Sequence, residues 1–72
     1  MDTDKRMREF AEQVRARRRQ LGLRQEELAE LAGTSARFVV QLEAGKPSVR
    51  TDKVLDVLEA LGLEVQLKIR GT

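Results

Sequence analysis

Arg37 and Gln41 stand four residues apart in the segment RQEELAELAGTSARFVVQLEAG, residues 24–45, and both carry side chains that can hydrogen-bond a flat polar edge. Arginine presents two parallel donors to guanine O6 and N7, and glutamine presents a donor and an acceptor to adenine N6 and N7. The pair therefore has the chemistry of base readout in a DNA major groove. Ala36 and Val40 beside them are small and apolar, which suits a thymine methyl. At about 100° per residue these four fall on one side of a helix, while Phe38, Val39 and Leu42 fall on the other. One face of that helix needs a core, and the opposite face is left to read.

Other chemistry is poorly served. The chain has no cysteine and no histidine, which removes disulfides, thiolate or imidazole metal ligands and the usual neutral-pH base. Ser35, Ser48 and the threonines therefore lack a partner to activate them. Lys46, Lys53 and Lys68 fall on polar surfaces where no burial would lower their pKa. Glu26, Glu27 and Glu30 cluster, but carboxylates on an exposed helix face are ordinary solvation. We expect no enzymatic activity, no cofactor and no metal.

Seventy-two residues suffice for one small domain, residues 1–72, which buries only about 60% of its unfolded surface. The N-terminal stretch DTDKRMRE is charged, and no apolar run approaches the ~18 residues of a membrane helix. A cytoplasmic protein with no membrane association is expected. The net charge of +2 is unevenly spread: residues 1–24 hold eight basic and four acidic groups, residues 25–45 one basic and four acidic. The run Arg15, Arg17, Arg18, Arg19 is either a set of phosphate contacts or a solvated helix face.

The elements that must position the reading residues follow from periodicity. Met7, Phe10, Ala11, Val14 and Leu21 form a helical stripe, with Thr3 or Asp4 as N-cap and Gly22 as terminator, giving a first helix near residues 4–21. Arg18 projects into this stripe. It either snorkels from the edge or is partly buried against a carboxylate from another helix. Residues 25–32 make a second helix with Leu28, Leu31 and Ala32 inward, and Gly33 supplies the turn. Ser35 caps a third helix, residues 35–44, closed by Gly45 and Pro47. Thr51 and Asp52 start a fourth, whose buried face is Val54, Leu55, Leu58 and Leu61 before Gly62. Arg24, Gln25, Ser35, Lys46 and Arg50 sit at helix starts or in flanking loops and are the candidate phosphate contacts.

After Gly62 the period changes from helical to alternating. In LEVQLKIR, residues 63–70, Leu63, Val65, Leu67 and Ile69 share one face and Glu64, Gln66, Lys68 and Arg70 the other, the pattern of a half-buried strand. No second strand pattern occurs in the chain. Another copy of the same segment is the economical partner, and the alternative is a frayed tail. Antiparallel pairing centred near Gln66 or Leu67 places Glu64 opposite Lys68 or Arg70, so opposite charges meet in either register.

The stretch LGLRQEELAELAGTSARFVVQLEAGKP, residues 21–47, resembles the XRE family, the helix-turn-helix fold of the lambdoid phage repressors and Cro proteins. With the tail LDVLEALGLEVQL it is similar to the HipB-type antitoxin-regulators, which are usually encoded beside a HipA-like kinase toxin. The resemblance implies an all-α, lambda-repressor-like domain of four helices over residues 4–62, with a C-terminal dimerisation strand. It implies a phosphate held near Gln25 and bases read from Ala36, Arg37, Val40 and Gln41. It also implies an ion pair between Arg18 and Glu43. The chain departs from the family pattern at Arg24, where a threonine cap is common, and at Val40, which is apolar for a reading position.

Two functions compete. The leading one is a homodimeric transcriptional regulator, a repressor that binds double-stranded DNA at a two-fold symmetric operator, its recognition helices about 34 Å apart in successive major grooves. The other is a protein-interaction module that holds a toxin, with the helix-turn-helix as scaffold. Substitution of Arg37 and Gln41 separates them, because only the first function depends on those side chains.

Overall fold

A computed structural model describes residues 2–71 of the chain. Its order is α1 (Thr3–Gln20), α2 (Gln25–Ala32), α3 (Ala36–Glu43) and α4 (Thr51–Ala60). α1 starts one or two residues earlier than its sequence signals suggest, because Asp2 is the cap. Its carboxylate accepts from the Lys5 N–H at 2.9 Å, which satisfies one of the donors that a helix start leaves free. α4 starts at Thr51 behind Arg50, with no side-chain cap.

All four helices end in the same way, with glycine just past the last turn in a left-handed conformation. At the end of α2, for example, the Thr34 N–H reaches back to the Ala29 carbonyl at 2.9 Å and the Gly33 N–H to Glu30 at 3.2 Å. That pair of bonds closes the orphan carbonyls. Gly33 lies at φ +71°, where a side chain would be strained. This is what keeps the α2–α3 connection short.

Val14, Leu28, Ala29, Val39, Leu42, Val57, Leu58 and Leu61 form the core, with Phe10, Leu23, Phe38, Val54 and Leu63 packed around it. Three positions differ from the sequence expectation. Leu31 is 64% exposed and Leu55 48% exposed, while Ala29 and Val57 are buried in their place. Leu31 lies some 110° around α2 from the middle of its buried face, and Leu55 is similarly displaced on α4. Each is an edge residue of a narrow contact. Leu21 caps α1 rather than packing, and is 43% exposed.

The expected strand is not formed in the single chain. Residues 63–69 carry no regular structure, and Val65, Leu67 and Ile69 are 54%, 94% and 84% exposed. A lone strand has no neighbour to complete its ladder. Leu63 differs from the other three. It packs on the core of its own chain, and its N–H bonds to the Leu58 carbonyl at 2.9 Å. No helix among the described residues is long and apolar enough to cross a membrane.

Candidate nucleic-acid interface

α3 is held by both ends and by one face. At its start the Ser35 hydroxyl accepts from the Phe38 N–H at 3.1 Å. Along its inner face Val39 and Leu42 are fully buried, so the helix cannot roll without opening the core. The outer face then points away from the core by default. Ala36 and Arg37 are exposed, Val40 is 46% exposed and Gln41 is half-buried. Arg37 has no ion-pair or side-chain hydrogen-bond partner among the described residues. The guanidinium is free to meet a ligand without first breaking an internal contact.

The candidate phosphate contacts fall into two groups. Lys46 is exposed and its ammonium has no partner among the described residues, and the Ser35 hydroxyl keeps its own proton for donation while capping α3. Arg24 and Arg50 are exposed but occupied. Arg24 Nε donates to Glu27 at 3.2 Å, and Arg50 Nη2 to Asp52 at 2.6 Å. Exposed pairs of this kind are weak, so a phosphate can displace either carboxylate. With arginine at the N-cap, α2 has no side-chain acceptor for its first N–H groups, and in the other direction the Glu27 carboxylate accepts from the Arg24 backbone N–H at 2.9 Å. That hydrogen bond, with the Arg24 side chain second, holds the Glu27 pKa below its ordinary value. Arg50 does the same for Asp52.

Arg18 and Glu43 join α1 to the end of α3. The guanidinium donates through Nε to Oε2 at 2.7 Å and through Nη2 to Oε1 at 2.9 Å, the two-pronged geometry that matches a carboxylate. Its remaining arm donates to the Leu23 carbonyl at 2.7 Å. The side chains are 10% and 3% exposed. The hydrogen bond to Glu43 raises the Arg18 pKa, and burial opposes it. Gln25 Nε2 also donates to Glu43, at 3.2 Å. Glu43 thus sets the orientation of a residue expected to hold phosphate.

Arg17 departs from the sequence reading, which grouped it with possible phosphate contacts. Its Nε donates to the Leu61 carbonyl at 2.9 Å and its Nη1 to Gln20 at 3.0 Å. A cation at the carbonyl end of α4 complements the helix dipole there. Helical projection does place Arg17 on the flank of α1 away from Arg15, which was the available signal. Two further features had no such signal. Lys53 sits 5.8 Å from the centre of the Phe38 ring, a cation–π distance. The Thr34 hydroxyl, in the turn before α3, is buried with no hydrogen-bond partner among the described residues.

Residues 9–68 match the family described as "Helix-turn-helix domain", a span that runs from α1 into the C-terminal tail. A protein of Sinorhizobium fredii, named as an uncharacterized HTH-type transcriptional regulator, is 48% identical over 58 residues, which are 81% of this chain and 76% of that protein. With the short α2–α3 turn, the buried inner face of α3 and its open outer face, these matches show that the chain belongs to the helix-turn-helix domain family.

Proposed function

We propose that the chain is a sequence-specific DNA-binding transcriptional regulator of the XRE type, a homodimeric repressor that inserts α3 into the major groove. The observation that carries this reading is the division of α3 into a fully buried side, Val39 and Leu42, and an open side bearing the unpaired Arg37. Ala36, Val40 and Gln41 complete the reading set. Arg24, Gln25, Ser35, Lys46 and Arg50 position the duplex through its phosphates, which hold the register but carry no sequence information. Arg37→Ala or Gln41→Ala should weaken the cognate site by about 1–3 kcal/mol and flatten preference at one base position. The test is selection of sites from a randomised duplex pool followed by titration. Wild-type discrimination retained in either variant sinks the reading role of that residue.

Two-fold operator recognition needs a dimer. The alternating exposed Val65, Leu67 and Ile69 favour pairing of the 63–70 segment with its copy, in which those side chains would be covered. Leu63 supports the segment from its own core. A HipB-type role as antitoxin to a HipA-like kinase is favoured by a separate observation. Leu31 projects from α2 beside Leu23 in a shallow depression rimmed by Glu27 and Glu30, away from the reading face. Leu31→Asp should abolish copurification with a kinase encoded alongside and leave DNA binding intact. Loss of neither sets that role aside.

A further inference from the structure

We propose that Arg8 and Arg15 of α1 form a second phosphate-binding strip, which holds the DNA backbone along the C-terminal end of α3. The inference rests on the DNA-binding reading and extends its footprint beyond the helix-turn-helix. Seven residues apart, the two arginines lie on one side of α1, separated by about 10 Å along its axis. Both are exposed, and neither has an ion pair or side-chain hydrogen bond among the described residues. Arg17, Arg18, Arg24 and Arg50, by contrast, are all engaged within the chain.

Position makes these cations part of the reading surface. Arg15 shares one shallow depression with Gln25, Val40 and Ala44. That hollow therefore runs unbroken from the base-reading face of α3 to α1. The next depression joins Arg15 to Arg8 past Ala44. Beside that depression α1 and the turn after α3 come into close contact: Gly45 is buried at φ +80°, and a Cβ on it would stand 3.2 Å from Arg8 Cγ and 3.4 Å from Arg8 Cα. The glycine that ends α3 thus lets the stem of Arg8 lie against the turn. A duplex seated on Val40 and Gln25 passes Arg15 next, and Arg8 follows along the same edge. Glu43, in the same hollow, is already neutralised by Arg18. Glu12 is the opposing charge. It stands between the two arginines in sequence and lines the second depression, within a Debye length of about 10 Å of any phosphate they hold.

The phosphate term acts on any sequence, so the probe is a labelled mixed-sequence duplex of about 30 base pairs, titrated by anisotropy over roughly 50–200 mM salt. Arg8→Gln and Arg15→Gln should each reduce the slope of log K against log salt by about 0.9, and the double variant by twice that. Lysine at both positions should restore the slope. Glu12→Gln should tighten binding at low salt. Arg6→Gln makes the same charge change on the opposite flank of α1, near Asp2, Glu9 and Arg70, and should leave the slope unchanged. A wild-type slope in the double variant, or an equal loss in Arg6→Gln, overturns the strip, while sequence discrimination lost on Arg37→Ala would still support the reading face. Absence of salt-dependent duplex binding by the wild type overturns both.

Discussion

Removing Glu43 tests how α1 and α3 are held together. Glu43→Ala leaves the Arg18 guanidinium, on a residue only 8% exposed, with a single acceptor, the Leu23 carbonyl. An ion stranded in this way costs about 3–5 kcal/mol. A chain of this size has a total stability of roughly 4–11 kcal/mol, at 0.05–0.15 kcal/mol per residue, so the variant loses a large part of it. Arg18→Met strands the opposite charge: Glu43, 3% exposed, keeps only the bond from Gln25, and the cost is of the same order. The double variant Arg18→Met/Glu43→Leu has no stranded charge and should lie near the wild type or above it, since well-packed apolar replacements of buried pairs are neutral to stabilising by about 1–4 kcal/mol. Urea unfolding followed by far-ultraviolet circular dichroism measures all four proteins, and a constant m-value checks that they unfold from comparable states. The raised Arg18 pKa gives stability present below the unfolded arginine value and lost only as pH rises through the folded one, so this contribution is flat across ordinary pH. Either single variant within about 1 kcal/mol of wild type, or single costs that simply add in the double, would refute a buried, coupled pair.

Glu27 has its folded pKa depressed, first by the Arg24 N–H. Its stabilisation is present above the unfolded carboxylate value and lost as pH falls through the folded one. Glu27→Gln should therefore flatten the acid limb of Tm against pH, and an unchanged limb counts against the cap. Thr34→Val removes a buried hydroxyl without a partner and should stabilise by about 1 kcal/mol; a lower Tm would show that the hydroxyl is satisfied in solution. Deleting residues 64–72 keeps Leu63 on the core and should leave helix content intact while giving a monomer by light scattering. A dimer as stable as the full chain would place the interface elsewhere.

The division of α3 into a buried and an open side was legible in the sequence because it depends on local facts. Residue type and a 100° step suffice to separate Arg37 and Gln41 from Val39 and Leu42. The four helices were legible for the same reason, with glycine at each end. Periodicity could not say how wide each buried face is, since that depends on the neighbour. α2 packs through Leu28 and Ala29, and Leu31 is left outside. Nor could it decide which carboxylate meets Arg18, or that Arg17 turns to the end of α4, because those partners lie 25 and 44 residues away. The sequence by itself thus determined the four helices and which side chains α3 turns outward. Only the tertiary structure decided which cations remain free. An arginine's availability is settled by acceptors brought close in space, and helical spacing along one element does not reveal them.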